Sequence, residues 1–295
     1  MNIFISGSTS ILASTLIESY FGQEATLFIR GDLPKDESAI PAALESTTAG
    51  RPMDVVIILD GDEIFNTRIT RRYLESAPIQ RIKQTQAVCH YFSGQSQKPG
   101  MLLLASSVAI YGHSGINASS ENSRLGDGFH AKYFQELEAA TDSAKKVGIR
   151  VLHLRFGNII SRTSQPTFPQ LPVFKKLLPA VWHDKKREVS WISSEDAARA
   201  IWFIIENEKI SNPVNITAEK PIHKKEFLSA IAEKFNLRRT FPLPPFLLNF
   251  LFSNDIAALY SLNCNSVPKK LRGAGFSFND RSMVEYLTGG QEQAH

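Results

Sequence analysis

Cysteine is scarce: the 295 residues hold two, Cys89 and Cys264. Two thiols so far apart give neither a metal-ligand spacing nor a disulfide framework. A disulfide-stapled secreted domain is excluded, no metal site is expected, and a reduced cytoplasmic protein is the expectation. A dominant charge is also missing, since 33 Lys+Arg against 29 Asp+Glu leave +4. So small an excess suits an anionic ligand and does not argue for nucleic acid. Long apolar runs are absent too. The most apolar later stretch, Phe241–Phe252, carries three prolines and falls short of the roughly 20 residues a membrane span needs. It reads as a Pro-started helix packed on the body, or else as a partner surface. The opening MNIFISGSTS has no basic stretch before a long apolar one, so no signal peptide is expected. No Gly-x-x-x-x-Gly-Lys-Ser/Thr, no Gly-x-Ser-x-Gly and no His pair four apart occurs. These absences exclude a P-loop and a serine-hydrolase elbow.

What is present can build a full core. Apolar residues are 43% and aromatics 10% of the chain, which excludes intrinsic disorder. Short apolar runs alternate with helix-like segments through the first half. The runs are Asn2–Ser6, Ala25–Arg30, Asp54–Leu59, Met101–Ser107 and Arg150–Phe156. The spacing predicts helices at about Ile11–Tyr20, Arg68–Tyr91 and Phe129–Lys146. Continuous apolar strands are buried on both faces, as in a parallel sheet with helical crossovers. That is the doubly wound, Rossmann-type α/β class.

The pattern then loosens, with four prolines between Gln165 and Pro179. A strand is expected at Glu188–Ile192, a helix at Ser194–Glu206, a strand at Pro213–Thr217, and helices at His223–Phe235 and Pro245–Tyr260. The expected organisation is a first domain over 1–161, re-entered around 187–217. A smaller C-terminal α/β substrate-side domain takes 162–186 and 218–288, and a tail takes 289–295.

The first strand runs directly into Ser6-Gly7-Ser8-Thr9-Ser10-Ile11-Leu12-Ala13. Strand, small-residue loop and helix start together make an anion site, because the helix N-terminus offers N–H groups and a positive dipole end. Gly7, Ser8, Thr9, Ser10 and Ile11 are the candidate contacts. Only Gly7 is a glycine; Ser10 and Ala13 stand where further glycines are usual, so an ordinary strand–helix turn stays open. Arg30 ends the second strand, where an arginine suits a 2′-phosphate. NADP(H) is therefore favoured over NAD(H), although Asp32 nearby could reverse the preference. The third strand ends Leu59-Asp60-Gly61, on the cofactor side of such a sheet. A carboxylate there would repel a pyrophosphate, so Asp60 either points away or marks altered binding.

Several stretches together resemble the extended short-chain dehydrogenase/reductases. The closer resemblance is to their atypical subfamily of nucleoside-diphosphate-sugar epimerases, within the NAD-dependent epimerase/dehydratase family. They are SGSTSILA (6–13), LDGDEI (59–64), ASSVAIYG (105–112), GDGFHAKYFQELEAA (126–140), RFGNIIS (155–161), VSWISSEDAARAIWFIIE (189–206), PVNITAEKPIHKKEF (213–227) and VPKKLRGAGFSF (267–278). Their order and spacing fit over nearly the whole chain. The resemblance implies a catalytic set of a Ser at the fourth strand's end and a Tyr and Lys four apart on the next helix. Ser107 matches the Ser position, with Ser106 adjacent as a cofactor contact. Counting back from Glu138 puts His130 at the Tyr position and Phe134 at the Lys position, so the Tyr-x-x-x-Lys pair is missing. His130 is either a proton-transfer group or a partly exposed helix residue. Lys132 reaches the ligand only if its face turns inward.

The resemblance also implies cofactor contacts at Gly157 and Asn158, and substrate contacts at Tyr111 and Trp191. The alternative for both aromatic residues is core packing. The basic residues Arg68, Arg71, Arg72, Arg81 and Lys83 read as a solvated helix face, or else a basic stripe. The expected function is that of an NADP(H)-binding epimerase or oxidoreductase-like protein. It would take a small-molecule ligand, a nucleotide sugar among the candidates, and act as a monomer or homodimer without nucleic acid or membrane. The alternative is a non-catalytic dinucleotide-binding sensor or scaffold.

Overall fold

Alternate residues of each central strand enter different cores, and for that reason the runs are apolar throughout. The computed structural model describes residues 1–8, 10–19, 25–60, 71–112, 118–162, 177–178, 188–234, 238–239 and 265–289. Its first half contains β1 (Asn2–Ser6), α1 (Ile11–Glu18), β2 (Thr26–Ile29), α2 (Ile40–Thr48), β3 (Val55–Ile58), α3 (Arg71–Ser93), β4 (Met101–Ser107), α4 (Phe129–Ala139), α5 (Asp142–Lys146) and β5 (Arg150–Phe156). There follow β6 (Asn158–Ile160), β7 (Leu177–Leu178), β8 (Glu188–Val189), β9 (Trp191–Ser193), α6 (Ser194–Glu206) and β10 (Val214–Ile216). The chain goes on through β11 (Ile222–His223), α7 (Lys224–Lys234), β12 (Arg238–Arg239), α8 (Lys269–Gly273) and α9 (Met283–Thr288).

Six strands form one sheet in the order β10–β5–β4–β3–β1–β2, every pair parallel. Ile3, Ile5, Val55, Ile57, Leu103, Leu152 and Leu154 face a layer built with Leu12 and Leu16 of α1 and Ile201 of α6. Phe4, Val56, Ile58, Leu102, Leu104 and Val151 face Ile40, Leu44, Val88, Phe92 and Leu137 on the other side. A period of two with both faces covered yields unbroken apolar strands. This is the doubly wound class expected from the sequence.

Helix starts follow local chemistry. Ser10 caps α1, its hydroxyl accepting from the Ala13 N–H. Ser193 caps α6 by accepting from the Asp196 N–H, with Glu195 and Asp196 in the first turn; anionic side chains there suit the dipole.

Two expectations need correction. The helix expected over Phe129–Lys146 is two, because the chain leaves helical geometry at Thr141. The Thr141 hydroxyl donates to the Glu138 carbonyl at 2.8 Å and lies 2.9 Å from His153 Nε2. The strand expected over Glu188–Ile192 changes partner at Ser190: β8 pairs antiparallel with β11, and β9 parallel with β6. Helix α2 lies in a segment to which the sequence reading assigns no element; Ile40, Leu44 and Thr48, four apart, are its buried face. The helix expected at Pro245–Tyr260 lies outside the described residues. No helix among the described residues is long and apolar enough to cross a membrane.

Candidate functional site

Strand β1 crosses over to β2 on one side and β3 lies on its other side, so the sheet reverses direction of growth between β1 and β3. Ligands of doubly wound sheets lie outside the carboxyl ends of the strands at such a switch point. Here those ends bring together Ser6, Gly7 and Ser8 from β1, Leu59 and Asp60 from β3, and Ser106 and Ser107 from β4. Arg30 stands beyond them at the end of β2.

Gly7 is required by packing. Its φ is +76°, and a Cβ at this position would sit 2.5 Å from the Asp60 N and 2.6 Å from the Leu59 carbonyl carbon. The loop therefore passes β3 with only backbone between them. Gly7 N–H donates to the Gly31 carbonyl and Ser8 N–H to the Arg30 carbonyl, both at 3.1 Å, which extends the β1–β2 pairing into the loop. Ser10, at a position where glycine is usual, turns its oxygen inward to cap α1 and is buried. Thr9 and Gly61 lie outside the described residues. Ile11 opens α1.

Asp60 points away from the loop. It accepts the Ser6 hydroxyl proton and, at 3.0 Å, the Leu33 N–H. It thereby ties β3 to β1 and to the segment after β2. Burial pushes its carboxyl up, although the hydrogen bonds from Ser6 and Leu33 and the Arg81 charge pull the other way. A group raised in the folded state contributes stability below its unfolded value and loses it as pH rises through the folded value. Asp60→Asn imitates the protonated carboxyl. Thermal melts across pH should show the variant gaining on the parent as pH rises; a widening deficit above neutrality would refute this.

Arg30 is half-buried. Its Nη1 donates to the Thr47 Oγ1 at 3.0 Å and to the Ala43 carbonyl at 3.2 Å, both on α2. Its Nε is buried with no partner among the described residues.

Ser107 is the cap of a short 3₁₀ turn, Val108–Tyr111, and its Oγ accepts from the Ala109 N–H at 3.1 Å. Ser106 is buried and donates to Glu138 Oε1 at 2.8 Å. Glu138 also receives both Nε and Nη2 of Arg155, each at 2.8 Å. Burial alone would raise the Glu138 carboxyl, yet the hydrogen bonds and charges of Arg155 and His153 outweigh it and hold it at about 2. Arg155 Nη1 donates to the Tyr111 hydroxyl at 2.9 Å, and Tyr111 donates to Asn215 Oδ1 at 2.7 Å. Tyr111 thus lies in a buried polar network beneath the end of β4. Burial pushes its phenol up against the opposing pull of Arg155.

The remaining expected residues separate. His130 sits in the first turn of α4, its ring edge-on to Phe129 at 5.3 Å. Lys132 is exposed and does not turn inward. Phe134 packs on the 3₁₀ turn with Val108, Ile110 and Tyr111. Gly157 fits closely against Ser190, whose backbone and Cβ would lie 3.1–3.2 Å from an added Cβ. Asn158 donates its amide Nδ2 to the Ser190 carbonyl at 2.8 Å. Trp191 is 2% exposed, packed among Ile160, Phe227, Ile231 and Tyr286.

Arg81 is a residue the sequence hides. Read as part of a solvated stripe, it instead reaches in from α3. Its Nη2 donates to the Ala105 carbonyl at 2.7 Å and its Nη1 to the Tyr133 hydroxyl at 3.3 Å. Lys83, two residues on, is exposed and pairs with Glu37. Nothing in a polar-faced helix distinguishes the two before the sheet edge is placed.

The family model of the NAD dependent epimerase/dehydratase family matches residues 24–217. The chain belongs to that family. An epimerase family protein of Bacillus subtilis (strain 168), YfhF, is 31% identical over 229 residues, covering 77% of this chain and 74% of the relative. The human epimerase family protein SDR39U1, solved with NADPH, superposes with a TM-score of 0.77 at 17% identity over 98% of both chains. The nucleoside-diphosphate sugar epimerase of Corynebacterium glutamicum gives a TM-score of 0.71 at 20% identity. This chain is covered over 98% there but spans only 57% of that longer protein. These likenesses show the Rossmann-type α/β fold for this family member.

Proposed function

We propose that this family member binds NADP(H) in the crevice outside β1 and β3 and acts on a small polar ligand of the nucleotide-sugar type. The observation that carries the reading is Arg30. A guanidinium offers two donor edges, and Nη1 is already used on α2. The buried Nε lacks an acceptor among the described residues, and a buried charged donor left unpaired is costly. A 2′-phosphate at the end of β2 would satisfy it. The human neighbour was solved with NADPH and a UDP-glucose 4-epimerase neighbour with NAD, which supports a nicotinamide dinucleotide; the nucleoside-diphosphate sugar epimerase neighbour supports the ligand class.

The residues present fit a dinucleotide. Gly7 brings the β1 loop against β3, and Asp60 is turned onto Ser6 and Leu33 rather than toward the loop. Gly7, Ser8, Ser10, Ile11, Leu59 and Ser106 would line the crevice, with Gly157 and Asn158 beyond β5. When bound, the nicotinamide supplies a hydride donor or acceptor. Ser107 uses a lone pair to hold the Ala109 N–H, which leaves its hydroxyl proton to donate to a substrate oxygen. His130, at the helix position where the family's tyrosine is missing, or a water, would carry the proton.

The cluster of Phe227, Ile231, Met283, Tyr286 and Leu287, packed against Trp191 of the re-entering segment, supports reading a smaller substrate-side unit over 162–186 and 218–288. Trp191 and Tyr111 would shape that side from within. Cytoplasmic location and a monomer or homodimer complete the proposal, in keeping with the free, buried Cys89.

Titration of the purified protein with NADPH and NADH tests the core of it. NADPH should bind more tightly, and Arg30→Ala should remove most of that preference, about tenfold or more for a lost charged contact. No binding of either dinucleotide, or a preference that survives Arg30→Ala, overturns the reading.

A further inference from the structure

Among the described residues, Nη1 of Arg30 has no charged partner. Its acceptors are a hydroxyl and a carbonyl on the last two turns of α2. The Thr47 hydroxyl has a single proton, and it is spent on the Ala43 carbonyl at 2.8 Å. Its oxygen is then an acceptor only, and Arg30 Nη1 occupies it at 3.0 Å. Nη1 also reaches the Ala43 carbonyl itself at 3.2 Å. Arg30, Thr47 and Ala43 so close a three-membered ring of hydrogen bonds in which each donor and acceptor role is determined.

That ring fixes the guanidinium plane. An arginine at a strand end has several rotatable bonds, and ordering them costs entropy if binding must do it. Here the cost is met on folding. The edge that carries Nε is left without an acceptor among the described residues. A planar fork held in advance recognises a phosphate oxygen pair better than a mobile one.

We infer that Thr47 is a specificity-determining positioning residue: by holding Arg30 Nη1, it presents the other guanidinium edge to a 2′-phosphate and sets the preference for NADP(H). The inference rests on the reading of Arg30 given above. Thr47 touches no ligand itself and acts only through Arg30.

Binding of NADPH and NADH to the full chain, followed by nicotinamide fluorescence or calorimetry, separates the outcomes. Thr47→Val keeps the shape and removes the acceptor. It should weaken NADPH by about tenfold, the size of a hydrogen bond to a charged group, while the NADH constant moves less than twofold. Thr47→Ser should restore the NADPH preference. In an Arg30→Ala background, Thr47→Val should add nothing. A merely structural role would weaken both dinucleotides together and would not be rescued selectively. Thr47→Ala is a second variant should the valine not fold. If Arg30→Ala abolishes the preference but neither Thr47→Val nor Thr47→Ala changes it, the Thr47 inference falls and the Arg30 reading stands. If Arg30→Ala leaves the preference intact, the Arg30 reading falls and takes this inference with it.

Discussion

Glu138→Leu should lower the unfolding free energy by about 3–5 kcal/mol, because it strands a buried guanidinium. Arg155 is 4% exposed and Glu138 7% exposed. Two of the three guanidinium nitrogens of Arg155 end on this one carboxylate, and the third donates to Tyr111. Ser106, next to the candidate catalytic Ser107, loses its acceptor as well. Denaturant melts check the magnitude. A cost below about 1 kcal/mol would mean that solvent or another group takes over the charge. The double change Glu138→Leu with Arg155→Met should recover much of the loss, since no lone charge then remains buried. The pH dependence follows from the carboxyl held at about 2 against an ordinary 4.5. Its folded value is depressed, so its contribution is fully present above about 4.5. It is lost as pH falls from there toward 2. Acid melts of the parent should be steeper in that window than those of the double variant.

Gly7→Ala is the second large effect, and it strikes the crevice directly. Two penalties combine. The backbone is in the left-handed region, which costs a side chain of order 1–3 kcal/mol when neighbours enforce it. The new Cβ also meets the Asp60 nitrogen at 2.5 Å, where neither partner is a flexible side-chain end. The β1 loop must move away from β3, and with it the start of α1. We expect a loss of at least about 2 kcal/mol in melts, with dinucleotide affinity falling by tenfold or more. Gly31→Ala is the matched control. It meets nothing within 4 Å and should stay within about 0.5 kcal/mol of the parent. Equal behaviour of the two variants would show that the close approach at Gly7 is not required.

Both effects trace to features that were unequally visible in the sequence. Gly7 could be read at once, because strand, glycine and helix start are contiguous. Glu138 could not. In the sequence it served only to count back to positions 130 and 134. Its partners lie 17 residues away at Arg155, 32 at Ser106 and 15 at His153. Arg81 and Thr47 were hidden for the same reason. One lies on a polar-faced helix and the other on a short helix that the sequence reading does not assign. Each acquires its part only when a strand end is brought beside it.

Composition and periodicity alone determined the class. Runs such as VVII and MLLLASS need cover on both faces, and alternation with helices then leaves a parallel doubly wound sheet. With the family resemblance to place the pair, the sequence also showed that Tyr-x-x-x-Lys is absent at positions 130 and 134, which hold His and Phe. Only the tertiary structure decided where the polar groups point. It turned Asp60 from the loop onto Ser6 and Leu33, made a helix cap of Ser10, and sank Tyr111 and Trp191 into the interior. It bent Arg81 inward and clamped Arg30 to α2. Apolar residues obey a periodic rule because burial is non-directional. A hydrogen bond or ion pair is decided by one distance and one angle, and those exist only once distant segments have met.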